Sequence, residues 1–173
     1  MSETRQLTAG GTISHLLKGC VSQTEKAIKS CPENKRYFQL ADNKATPIWL
    51  IGHMANTAEF IGNSIGLGSS SGAIKPEWRS KFTPDGFGGD KITSNPADYP
   101  KWEEVVEAYK KAFGHLIQEA AGLTDEQLLG PPKGKVPPPL AGMLTNLQDC
   151  MTLNIIHDSH HRGQFGLLAA APK

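Results

Sequence analysis

A chain of 173 residues is one domain's worth, and it can bury roughly two thirds of its unfolded surface in a single core. Eighteen basic residues against seventeen acidic ones leave a formal charge of +1, which is no footprint for DNA or RNA. No stretch approaches the roughly 18 apolar residues of a membrane span, and the polar opening Met1-Ser-Glu-Thr-Arg-Gln has no apolar run of signal-peptide type behind it. Three cysteines, Cys20, Cys31 and Cys150, lack any Cys-x-x-Cys spacing, so reduced thiols in a cytoplasmic protein are expected rather than a disulfide framework.

Helical periodicity appears first over residues 12–30, where Ile13, Leu16, Leu17, Cys20, Val21, Ala27 and Ile28 form one apolar stripe. Pro32 stands just past its end, where a helix has to stop. The second helix opens at Thr46-Pro47, an N-cap followed by proline at the first helical position. It carries Ile48 to Ile51, Met54, Ala55, Ala58, Ile61 and Ile65, and fades at Gly66 and Gly68.

The third helix is expected from about Asp98–Trp102 to Gly122, with Trp102, Val105, Val106, Tyr109, Phe113, Leu116 and Ile117 inward. Thr124-Asp-Glu-Gln127 then reads as a capping box opening a short turn. The fourth helix is expected from about Leu140 to Ala170, after the proline-rich segment 131–139. No segment alternates with period two, so the expectation is an all-α four-helix bundle, one domain over 1–173, with little or no sheet. The connection 69–96 is rich in Gly, Ser and Pro, and long enough to be a lid, a binding loop or a decorated surface loop.

His157, His160 and His161 fall inside the fourth helix, in Ile156-His-Asp-Ser-His-His-Arg-Gly-Gln164. Residues four apart on a helix differ by about 40° in azimuth and roughly 6 Å in rise, so His157 and His161 can share one metal. His157 with His160 competes on geometry, and spacing alone does not choose between them. A third ligand must come from another helix. His53 is the natural candidate because it sits in an otherwise apolar helix, where a buried imidazole needs a partner. His15 and His115 lack such company.

The pattern Pro47-Ile-Trp49…His53 with His157-x-x-x-His161-Arg-Gly-Gln164 resembles the DinB/YfiT-like superfamily of metal-binding helical bundles, over nearly the whole chain. The resemblance implies a four-helix bundle with a long crossover, often dimeric, with the metal on His53, His157 and His161 and with His160 outside the ligand set. It also implies thiol-dependent transferases or isomerases, or metal-dependent hydrolases, among its relatives.

Helix geometry adds pocket-lining candidates: Trp49, Thr57 and Phe60 near the azimuth of His53, and Leu153, Gln164 and Leu168 on the His157 face. Cys150 lies about two turns before His157. Asp158 points about 100° away and is a better outer or surface residue than ligand, and Arg162 is likewise off the face.

Three neutral imidazoles leave a dication an open position, the arrangement of a catalytic rather than a structural zinc. Zinc or nickel is expected, with iron also suited to imidazole. No His-Glu-x-x-His motif, nucleophile elbow or phosphate-cradling loop supplies a general base, and no catalytic side chain is assigned. The expected function is a metal-dependent enzyme on a small-molecule substrate, with a low-molecular-weight thiol as cosubstrate. The alternatives are a stress-associated metal-binding protein without turnover and a structural bundle without metal.

Overall fold

The computed structural model describes residues 8–172, so the polar segment read at Met1–Gln6 lies outside the described residues. Helix α1 spans Ala9–Ser30, capped by Thr8, whose hydroxyl accepts from Gly11 N at 3.0 Å. Helix α2 spans Pro47–Thr57, with Thr46 accepting from Trp49 N and proline in the first turn. Helix α3 spans Trp102–Ala121, α4 is the short Asp125–Leu129 and α5 spans Leu147–Ala170. Thr124 and Gln127 form the expected capping box before α4. There is no strand among the described residues, and none of their helices is long and apolar enough to cross a membrane.

Helices α1 and α2 each pack on both α3 and α5. The order around the bundle is therefore α1, α3, α2, α5, and the consecutive pair α1 and α2 sits across a diagonal. Its core is one cluster that includes Leu17, Ile48, Leu50, Ile51, Met54, Phe82, Tyr109, Phe113, Leu116, Met151 and Phe165.

Two departures from the sequence expectation have local causes. Helix α5 starts at Leu147, not Leu140: Leu140 ends a 3-10 turn, Pro138–Leu140, that the consecutive prolines impose. The start signal is Asn146, whose side chain accepts from Asp149 N at 2.8 Å while Asp149 folds back onto the N–H groups of Thr145 and Asn146. The second departure is that α2 continues beyond Thr57 as a π-helix, Ala58–Leu67, which ends on Gly68 in the left-handed region at φ 64°. Wider winding frees carbonyls, and the proline-rich segment supplies donors to them: Gly134 N to Ile65 O at 2.7 Å and Lys133 N to Gly66 O at 3.0 Å.

Connection 69–96 is folded as successive 3-10 turns, and it is not a mere surface decoration. Trp78 and Phe82 from it are buried in the core. At its start, Ser70 and Ser71 donate to the buried Glu59 carboxylate, which also accepts from Asn63.

Candidate metal centre

His53 lies one turn inside α2, only 8 % exposed. Its Nδ1–H donates to the carbonyl of Phe82 at 2.9 Å, which commits Nε2 to carrying a lone pair. The contact exists because residue 52 is glycine: a Cβ there would come within 2.2 Å of the Phe82 ring. One turn earlier, Trp49 stacks on the imidazole with ring centroids 4.6 Å apart and planes at 15°.

Helix α5 supplies the other two rings. His161 Nδ1–H donates to Gln164 Oε1 at 2.7 Å, so its Nε2 also carries a lone pair. His157 Nε2 lies 3.1 Å from His53 Nε2 and 3.1 Å from His161 Nε2. One proton on His157 could serve only one of those two acceptors. A cation serves all three at once. Two nitrogens about 2.05 Å from a zinc at a tetrahedral angle lie about 3.3 Å apart, so the observed spacing fits a dication. His53, His157 and His161 form the one group of potential ligands gathered in this way among the described residues, with all donor atoms within 4.8 Å of one another.

Burial favours the neutral form that metal binding needs. It pushes His53 down to about 4, opposed by the hydrogen bond to Phe82 and assisted by the neighbouring His161. It pushes His157 down to about 3, with His161, His53 and His160 adding to the effect, and it lowers His161 as well.

His160, the geometric competitor, is exposed and its ring meets His161 edge-on at 5.0 Å. His15 is exposed, and His115 pairs with Asn63 Oδ1 at 3.1 Å, away from the cluster. Of the pocket candidates, Trp49 and Gln164 touch ligand rings, Thr57 is buried and Leu153 is half-buried. Phe60 is 48 % exposed, beyond the point where π-winding replaces α-winding and shifts the azimuth. Cys150 is fully buried against the position of Gly66, and burial with the Asp149 charge pushes its thiol up to about 11, an inert form. The other two cysteines are unpaired as well.

A profile of the DinB superfamily matches residues 16–165. The chain belongs to the DinB superfamily. No curated protein and no solved structure matches it. The match takes in all three histidines of this DinB chain, the whole of α2 and α5 as far as Phe165.

Sequence reasoning missed Phe82, which acts through a backbone carbonyl that any residue carries. Asp158, read as an outer or surface residue rather than a ligand, stands outside the cluster, and the structure overturns only the surface alternative. Asp158 is fully buried: Tyr109 Oη donates to one carboxylate oxygen at 2.7 Å and Thr24 Oγ1 to the other at 2.9 Å. Arg162 reaches the same carboxylate at 3.8 Å and donates to Cys20 O at 3.3 Å. Burial raises the Asp158 carboxyl against these partners, and it raises the Tyr109 phenol.

Two concave clefts elsewhere carry no comparable donor set. One of about 230 Å³ is lined by Lys81, Asp90, Lys91, Thr93, Asp98 and Tyr99. Another, of about 270 Å³, runs between the ends of α1 and α5. The three converging imidazoles lie on α2 and α5, apart from the residues that line either cleft.

Proposed function

We propose that this DinB protein is a divalent-metal-dependent enzyme acting on a small molecule, of the thiol-dependent transferase or isomerase type or a hydrolase. The observation that carries the reading is the convergence of three imidazoles, with His157 Nε2 3.1 Å from both His53 Nε2 and His161 Nε2, and those two committed as lone pairs by Phe82 O and Gln164 Oε1. An all-imidazole donor set suits zinc or nickel, with iron next. Bound there, such a dication supplies Lewis acidity at an open position to a thiol, a water or a carbonyl of the substrate.

The chain's own residues do the rest. His53, His157 and His161 hold the cation while neutral, so its full positive charge stays available to an anionic substrate group. Trp49 covers one face of His53 and excludes water from that side. The group holds no carboxylate to act as a general base. That favours a substrate whose nucleophile is a thiol, which loses its proton readily near a cation. By the family resemblance the protein works as a homodimer, which light scattering at micromolar concentration tests: a monomer there contradicts it.

The test of activity is a screen of low-molecular-weight thiols with small electrophiles, using metal-loaded protein with and without chelator. The proposal expects thiol consumption that stops on chelation and is absent in His157→Ala. A metal-loaded protein with no turnover of any thiol, ester or amide would leave a binder without catalysis.

A further inference from the structure

Helix α5 must hold its rotation about its own axis closely for the site to exist. A turn of 20° sweeps an imidazole nitrogen, roughly 6 Å from the axis, by about 2 Å. Metal–ligand distances tolerate about 0.2 Å. Apolar packing is thin where that rotation matters, with Leu153 and Ile155 only half-buried against the core. Between Met151 and Phe165, the stretch that carries His157 and His161, the buried residues of α5 are Asn154 and Asp158.

Asn154 donates to Cys150 O on its own helix, so it ties α5 to nothing else. Asp158 does the opposite. Its two oxygens accept from Thr24 on the neighbouring helix α1 and from Tyr109 on α3, diagonally across the bundle, neither of which carries a histidine of the cluster. Cys20 Sγ and Ser159 Oγ, 3.5 Å apart, make a weaker tie beside it. We propose that the Asp158–Thr24–Tyr109 network is a rotational lock on α5 that positions His157 and His161 to meet His53. Asp158 is thus a positioning residue, acting through direction rather than charge. The inference rests on the metal-centre reading above for its purpose, but its geometric claim stands apart from metal binding.

Replacing a buried polar network by apolar side chains of similar volume is often neutral or stabilising for a fold. The triple variant Thr24→Val/Tyr109→Phe/Asp158→Leu therefore separates holding the fold together from holding the ring positions. We expect it to melt at or above the wild-type temperature while its zinc affinity, measured by chelator competition, falls at least tenfold. Asp158→Asn can still accept from Tyr109 and pair with Thr24, and it should stay within about threefold of wild type. Leu128→Ala, buried on α4 away from the histidines, should lower the melting temperature and leave zinc affinity unchanged. If the triple variant fails to fold, Tyr109→Phe alone should still weaken zinc several-fold.

Crystal structures of the metal-free proteins read the same claim without zinc: the 3.1 Å spacing between His157 and His53 should open in the triple variant and persist in Asp158→Asn. Wild-type zinc affinity in the triple variant, or an unchanged spacing, overturns the lock. An Asp158→Asn loss as large as the triple variant's shows that charge, not direction, matters, and overturns it too. Wild-type protein that takes up no zinc defeats the metal-centre reading instead, and the metal-free spacing then decides the lock by itself.

Discussion

The proton on Nδ1 of an imidazole decides what its other nitrogen can do. Phe82 O and Gln164 Oε1 take those protons at His53 and His161, leaving Nε2 free in both. Outer partners of this kind typically account for 10- to 100-fold in metal affinity. Gln164→Leu should accordingly weaken zinc by about tenfold or more, read by competition with a chromophoric chelator. His160→Ala, an exposed ring outside the cluster, should change it little.

The same rings set a pH dependence. Their folded values lie below the ordinary 6.5, about 4 for His53 and about 3 for His157, so the unfolded chain binds more protons between those limits. Stability then rises with pH there. The metal-free protein should be fully stable above about pH 6.5 and lose stability steadily as the pH falls towards 4. Urea midpoints that are flat from pH 7 to 5 would contradict the buried, neutral state of these rings.

Each ligand-bearing element draws its position from a segment distant in sequence. Helix α2 brings His53 to Phe82 only because Gly52 leaves room for the Phe82 ring. Gly52→Ala should push that ring away, cost about 1–3 kcal/mol as overpacked cores do, and weaken zinc along with it. A variant with wild-type melting and wild-type zinc affinity would show that the connection 69–96 does not set the site.

What the sequence made legible follows the same division. A histidine pair on α5 was readable because i, i+3 and i, i+4 spacings are local, the resemblance alone preferring His161 to His160, and the starts of α2 and α4 were readable because their caps are local too. His53 stood out as a polar residue in an apolar run. Phe82 was invisible because its carbonyl carries no side-chain signal. The burial of Asp158 was invisible because its partners lie on α1 and α3, and sequence spacing cannot show that they meet it. The start of α5 was placed at Leu140, just past the prolines, although Asn146 and Asp149 carry the capping box that sets it at Leu147.

Taken whole, the molecule has a core that does not depend on the metal. Leu17, Ile48, Leu50, Ile51, Phe113, Leu116 and Phe165 are all buried, and they belong to four different helices. Zinc fingers unfold without metal because they lack such a core. This bundle should remain helical by circular dichroism after chelation. It should melt only modestly lower, by the mass-action stabilisation that any native-state ligand confers. Complete unfolding on mild chelation would make the three histidines a structural clamp.

On the proposed reading, His53, His157 and His161 hold one divalent metal. Calorimetric titration of zinc into the metal-free protein at neutral pH tests it most directly. The expected stoichiometry is close to one per chain, abolished in His53→Ala, His157→Ala and His161→Ala and kept in His160→Ala. No heat of binding in the wild-type protein, or binding that survives His157→Ala and disappears in His160→Ala, would contradict it.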